Sequence, residues 1–246
     1  MNVKKILVSQ QRPAAEKPYL DLEQKYGVQI VFRPFIRIEG LPARVFRLQR
    51  INIPDYSGII FTSKTAVDHF FRLCQEIRYT PPKTLKYFCL NEHIYNYVQK
   101  YADFLKRKFF FSKTGRMDDL VNSSLDKIKK EKLLLPMSDV PSSHTNALDD
   151  LGIEYTPAQM YKTVNNDFQP DEPMDYDMLI FFSPAGVRSL IQNFPNFNQG
   201  DIAIGAMGTT TIEAIHENGL RLDITTSPQF PSIPAAIDNF LAQHAS

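Results

Sequence analysis

The chain is 246 residues long, room for one large domain or two of roughly 100–150 residues, and long enough to bury cores without disulfide or metal staples. With 43% hydrophobic and 22% charged residues it has the balance of an ordinary globular protein, not that of a disordered, collagen-like or coiled-coil chain. Lys plus Arg is 28 against 27 for Asp plus Glu, so the net charge of +1 lacks the basic excess of a dedicated nucleic-acid binder, while a small polyanion held by backbone N–H groups stays open.

Ile6-Leu7-Val8 predicts a short strand with a turn at Gln11-Arg12-Pro13 behind it. A helix is expected from about Pro18 to Tyr26, with Pro in its first turn and Gly27 at its end. Ile30 to Glu39 is a long β-like stretch. Its Ile30, Phe32, Ile36 and Ile38 are expected on one face, and Val31, Arg33, Phe35, Arg37 and Glu39 on the other. Pro34 suits an edge strand or a connector. Ser57 to Phe61 predicts a buried strand, followed by a helix with Ala66, Val67, Phe70, Phe71 and Cys74 on one face.

Leu85 to Leu90 is another strand, then a helix through Tyr95 and Val98, a strand at Lys108 to Phe111 and a helix at Met117 to Lys130. Leu133-Leu134-Leu135 is a strand expected to end at Pro136, followed by a helix to Leu151 closed by Gly152. Glu154 to Val164 is extended, Met178 to Phe182 a strand and Ser183 to Phe194 a helix. Ile202 to Ala206 is a strand, Thr211 to Asn218 a helix closed by Gly219, and a strand near Leu222 to Ile224 and a helix from about Ile233 to Gln243 complete the order. Strands alternating with helices imply mainly parallel sheets with helices on both faces.

The pattern occurs twice. Tyr56 to Val67 resembles Tyr176 to Val187, and the stretch Leu20 to Ile36 resembles Leu148 to Gln159. Two similar α/β domains with a ligand cleft between them are the expected architecture. Cys74 and Cys89 fall in apolar patterns and are expected as small buried hydrophobes. No apolar signal segment precedes the first strand and no run approaches the ~18 apolar residues of a membrane span, so a cytoplasmic protein is expected.

Three strand-to-helix junctions carry hydroxyls: Phe61-Thr62-Ser63, Phe182-Ser183-Pro184 and Gly208-Thr209-Thr210-Thr211. Free N–H groups and the helix dipole favour an anion at such a junction. For any one junction simple capping is the plainer reading: Ser183 before Pro184 fits an N-cap, and Thr210 with Glu213 fits a capping box. Three at equivalent places in a repeated fold point to a shared anion-binding cleft. Tyr161 lies in the extended stretch that the repeat matches to Phe35-Ile36; a half-buried strand tyrosine is the plain expectation.

There is no G-x-S-x-G elbow, no P-loop and no G-x-G-x-x-G, and the five histidines, His69 among them, show no zinc-ligand spacing. His69 and His216 are expected on solvated or half-buried helix faces. Chemistry done by shaping a reactive substrate fits this better than a strong nucleophile or a metal.

Ile60-Phe61-Thr62-Ser63 with Ala66-Val67, Phe181-Phe182-Ser183 with Gly186-Val187, Tyr161-Lys162-Thr163, and Gly208-Thr209-Thr210-Thr211 with Gly219-Leu220 resemble, in order and spacing, the signature stretches of the uroporphyrinogen-III synthase family. The resemblance covers essentially the whole chain. It implies a lyase that cyclises hydroxymethylbilane, inverts ring D and loses water through a spiro intermediate, with no cofactor and no metal. It implies two α/β domains: 1–35 with 165–246, and 40–158, joined by connecting strands at 36–39 and 159–164. By position, Tyr161 matches the family's cleft tyrosine, which assists the leaving hydroxyl, and Thr62, Ser63, Ser183, Gly208, Thr210 and Thr211 match substrate-binding positions. Lys64, Arg12 and Lys162 are added as nearby cations, with solvated surface charge as the equal alternative.

One junction departs: Cys89-Leu90-Asn91-Glu92-His93 has neither the Gly nor the Thr that the family implies there. The resemblance also implies a cytoplasmic monomer, with a transient contact to hydroxymethylbilane synthase, and no membrane or nucleic-acid partner. A non-catalytic two-domain binder of an anionic tetrapyrrole or other small polyanion remains the alternative.

Overall fold

The computed structural model describes residues 3–102, 105–139, 143–169 and 172–244. Met1 and Asn2, at the expected signal-free start, and 140–142, within the helix expected between Pro136 and Leu151, lie outside the described residues. In chain order the elements begin β1 (Lys5–Val8), α1 (Lys17–Tyr26), β2 (Gln29–Phe32), β3 (Ile36–Gly40), α2 (Ala43–Phe46), β4 (Gly58–Phe61) and α3 (Lys64–Glu76). They continue with β5 (Lys86–Cys89), α4 (Glu92–Val98), β6 (Phe109–Phe111), α5 (Met117–Ile128), β7 (Leu133–Met137), α6 (Ser143–Asp150), β8 (Tyr155–Gln159) and β9 (Tyr161–Asn165). Last come β10 (Met178–Phe181), α7 (Pro184–Asn193), β11 (Ala203–Ala206), α8 (Thr209–Glu217), β12 (Ile224–Thr225) and α9 (Ile233–His244). Among the described residues no helix is long and apolar enough to cross a membrane.

The chain divides into two units, Met1–Arg37 with Val164–Ser246, and Ile38–Thr163. The first holds a five-stranded sheet in the order β12-β11-β10-β1-β2, and the second one in the order β6-β5-β4-β7-β8, every pairing parallel. Strands β3 and β9, where the chain passes from one unit to the other, pair as a separate two-stranded sheet.

Counted from β10 in one unit and β4 in the other, the two sheets have the same order, with β1 and β2 taking the places of β7 and β8. The repeated segments of the sequence land on these equivalent elements: Tyr56 to Val67 leads into β4 and α3, and Tyr176 to Val187 into β10 and α7. The other pair lands on α1 with β2 and on α6 with β8.

The core of the first unit shows why each strand is apolar throughout. Ile6, Val8, Met178 and Ile180 point to the face covered by Tyr19 and Leu22 of α1 and by Ile237 and Leu241 of α9. Their neighbours Leu7, Leu179 and Phe181 point to the face covered by Val187 and Leu190 of α7 and Ile215 of α8. Period-2 alternation with both faces buried leaves no polar side, the pattern of a parallel sheet wound on both faces. In the second unit the aromatic side chains of Phe61, Phe70, Phe71, Tyr87 and Phe88 fill the same role.

Local expectations are corrected in four places. The stretch from Ile30 to Glu39 is two strands, β2 at a sheet edge and β3 in the two-stranded sheet, broken around Pro34. The break resets the alternation: Phe35 is fully buried while Ile38 is 46% exposed, the reverse of what the hydrophobic face required. Pro136 does not end its strand. Pairing of β7 with β4 covers only Leu133 and Leu134, whereas pairing with β8 runs on to Met137, so the proline sits where one side of the strand is already unpaired. The last short strand is shifted to Ile224–Thr225. The helix expected from Thr211 begins at Thr209 with Gly208 as its N-cap, so Thr210 lies inside the first turn and forms no capping box.

Candidate functional site

Open parallel sheets of this order bind ligands outside the carboxyl ends of their strands, beside the point where strand order reverses. In the second unit that point lies at the ends of β4 and β7, and in the first at the ends of β10 and β1. Of the expected site residues, Thr62, Ser63 and Lys64 follow β4, Arg12 follows β1, Ser183 follows β10, and Gly208, Thr210 and Thr211 follow β11, whereas Tyr161 opens β9 just after β8.

In the second unit, Ser63 caps α3: its Oγ accepts the Ala66 N–H at 3.0 Å. Thr62 is half-buried and Lys64 exposed, with the Lys64 ammonium 5.5 Å from the centre of the Tyr97 ring. Tyr161 opens β9 and is 8% exposed. Its ring lies against His69 of α3, with centroids 5.0 Å apart and planes at 21°. Burial pushes the Tyr161 phenol up, an effect the nearby Ser63 hydroxyl opposes. The phenol therefore stays protonated, a hydrogen-bond donor, near neutral pH. Lys162 is half-buried on β9, its ammonium 3.9 Å from Glu39. At the departing junction, Asn91 takes the capping role, accepting the Ile94 N–H at 3.0 Å.

In the first unit, Ser183 caps α7, accepting the Gly186 N–H at 3.2 Å. Because a hydroxyl that accepts a backbone N–H keeps its own proton to donate, capping and anion binding use different parts of one group. Ser183→Ala removes the acceptor, and a urea titration should show a loss of about 1 kcal/mol. Gly208 caps α8 at φ 91°, a backbone that L side chains rarely adopt, and no side chain caps that helix. Thr209 and Thr210 are exposed, whereas Thr211 is buried, 1% exposed. Arg12 is exposed, 2.5 Å from Glu16 and 5.1 Å over the Phe32 ring of β2.

Two residues near these turns escaped the sequence. Ser9 follows β1, and a Cβ placed on Gly186 would meet the hydroxyls of both Ser183 and Ser9, at 3.5 and 3.7 Å. No motif marks Ser9; only the pairing of β1 with β10 puts it there. His69 had a helical position but no partner until Tyr161 was placed beside it.

The fold is similar to that of uroporphyrinogen-III synthetase from Helicobacter pylori 26695, at 17% identity over 98% of this chain and 99% of that one, with a TM-score of 0.61. It is also similar to a mutant uroporphyrinogen III synthase from the extremely thermophilic bacterium Thermus thermophilus, at 14% identity over 97% and 98% of the two chains, with a TM-score of 0.52. At this identity the likeness establishes the fold alone. No curated protein matches the sequence significantly. The family model described as Uroporphyrinogen-III synthase HemD matches residues 18–233, nearly the whole of the two-sheet fold, and the chain belongs to that family of cyclising lyases in tetrapyrrole biosynthesis.

Proposed function

We propose that the chain closes hydroxymethylbilane into uroporphyrinogen III, with inversion of ring D and loss of water. One observation within the molecule carries the reading. Both sheets end in hydroxyl-bearing strand-to-helix turns, and one of these lies beside a buried tyrosine. The substrate is a polyanion with an acetate and a propionate on every ring. The Ser63 and Ser183 hydroxyls, the exposed Thr210, the half-buried Thr62 and the uncapped first turn of α8 after Gly208 supply donors for carboxylates. In this reading Thr211 contributes through its place in that turn, and the exposed Lys64 and Arg12 add positive charge.

Tyr161 donates to the substrate's hydroxymethyl oxygen. The C–O bond breaks, the oxygen leaves as water, and the electron pair of the pyrrole nitrogen stabilises the carbon left behind. Ring D then attacks that carbon through the α-carbon already bonded to its bridge, giving the spiro intermediate. The old bridge bond breaks, the bridge carbon bonds to ring D's other α-carbon, and the proton lost there replaces the one that left with the water. The substrate brings its own leaving group and its own electron-rich rings, so the chemistry asks for no cofactor. What the protein must supply is one folded conformation of a flexible chain, because closure without inversion proceeds unaided. The same reading makes the chain a cytoplasmic monomer that takes its unstable substrate from hydroxymethylbilane synthase. Two free, buried thiols, Cys74 and Cys89, suit a reducing compartment, and burial pushes that of Cys74 up to about 12.

The test is a coupled assay. Hydroxymethylbilane is generated in place, the protein is added, and the oxidised uroporphyrin isomers are separated. The expected result is a shift from the type I to the type III isomer. Unchanged type I product from folded protein would overturn the reading in favour of binding without turnover.

A further inference from the structure

His69 stands on α3 at the edge of its buried face, half-buried, with its ring flat against Tyr161. Its Nδ1 accepts a hydrogen bond from Arg72 Nε at 3.1 Å. A guanidinium has no lone pair to offer, so Nδ1 carries no proton and the imidazole N–H sits on Nε2. The same guanidinium reaches the strand that carries Tyr161. Arg72 Nη2 donates to the carbonyls of Leu41, at 2.9 Å, and of Met160, at 3.2 Å, the residue just before Tyr161. Arg72 Nη1 pairs with Glu76, whose other oxygen accepts the Ala43 N–H at 2.9 Å. One side chain thus holds both the imidazole and the backbone beside the phenol, with every nitrogen of its fork engaged. Gly40 leaves it the room: a Cβ there would come within 2.7–2.8 Å of the guanidinium.

We propose that His69, oriented by Arg72, is a positioning residue for Tyr161, holding the phenol ring in one plane and so fixing where its hydroxyl points. The inference rests on the catalytic reading of Tyr161 and adds the device that aims it. The imidazole does this as a neutral ring. Burial and the Arg72 charge disfavour its protonation, and Asp68, which opposes them, is engaged by the Tyr97 hydroxyl at 2.9 Å and by that of Tyr101. Protonation at Nδ1 would also break the bond from Arg72. A misaimed donor costs rate more than binding, because the hydrogen bond to the departing oxygen strengthens as the C–O bond breaks.

The experiment compares steady-state formation of the type III isomer by the parent, His69→Ala, His69→Leu, His69→Phe, Tyr161→Phe and the double variant His69→Ala with Tyr161→Phe. His69→Leu fills the space without a flat ring and serves if the Ala variant unfolds. The expected result is a fall in kcat of about tenfold for the Ala and Leu variants, with KM changed less than about twofold. His69→Phe, which restores a flat ring, should recover to within about threefold of the parent. In the Tyr161→Phe background the Ala substitution should cost less than about twofold, because the group it aims is gone. Losses that multiply would overturn the proposal, as would a His69→Leu variant as fast as the parent, or a Tyr161→Phe variant that loses nothing.

A second readout needs no turnover. The Tyr161 ring protons, assigned by difference from the Tyr161→Phe spectrum, should carry a ring-current shift that His69→Leu removes. Should the parent make no type III isomer, the catalytic reading fails by itself, and this shift alone decides whether His69 holds the ring: its persistence in His69→Leu overturns the proposal.

Discussion

Replacing Tyr161 by Phe should lower kcat for type III product about 100-fold and leave KM within about twofold. The substitution removes one hydroxyl and little else. The ring is 8% exposed and stacked on His69, and a phenylalanine ring fills the same space against the same partner. Folding and substrate binding are therefore expected to persist. Under the proposed role, what is lost is a donor to the oxygen that departs, an interaction that strengthens in the transition state and so appears in kcat. Burial raises the phenol above its ordinary value, so in the parent it remains a donor across the neutral range. The measurement is the initial rate of type III formation under continuous supply of hydroxymethylbilane, with type I product counted as the uncatalysed background. Equal rates for variant and parent would remove Tyr161 from the reaction while leaving the family membership intact.

Much of this site was open to inspection in the sequence, for a physical reason. Ser63 and Ser183 sit between an apolar run with period two and an apolar face with period 3.6, and a hydroxyl at that change of period is an N-cap signal that needs no tertiary information. The repeat of that junction exposed the duplication, and the two copies hold equivalent places in the two sheets. Properties set by distant segments were closed to it. The β1–β10 pairing joins residues more than 170 positions apart, and it alone brings Ser9 beside Ser183. His69 looked like a half-buried helix residue because its stacking partner lies on β9 and its hydrogen-bond donor reaches back to Met160. Gly208 displaced Thr210 from the cap because a glycine can take a positive φ there, so the helix starts two residues before its first buried position.

Phe35 gives the most direct test of where the sequence pattern fails. Phe35→Ala should cost about 3–5 kcal/mol of stability, as large aromatic truncations in cores do. The ring is fully buried in the first unit, 4.6 Å from the Phe168 ring and 5.5 Å from that of Phe181. Its backbone is held as firmly: the Phe35 carbonyl accepts from Ser189 Oγ at 2.6 Å and from the Asn166 N–H at 2.8 Å. Such anchoring limits collapse into the void, which places the cost toward the upper part of that range. Ile38→Ala is the control. Continuous alternation through Pro34 would bury Ile38 and turn Phe35 away with Arg33 and Arg37, whereas the fold leaves Ile38 46% exposed. Its loss should stay within about 0.5 kcal/mol. Urea unfolding of both variants, compared by midpoint at constant slope, separates the two arrangements. A large loss for Ile38→Ala with a small one for Phe35→Ala would mean that the alternation runs through Pro34 unbroken. The expected order places the break at the proline, where the chain stops serving the sheet of the first unit and begins the strand that leads into the second.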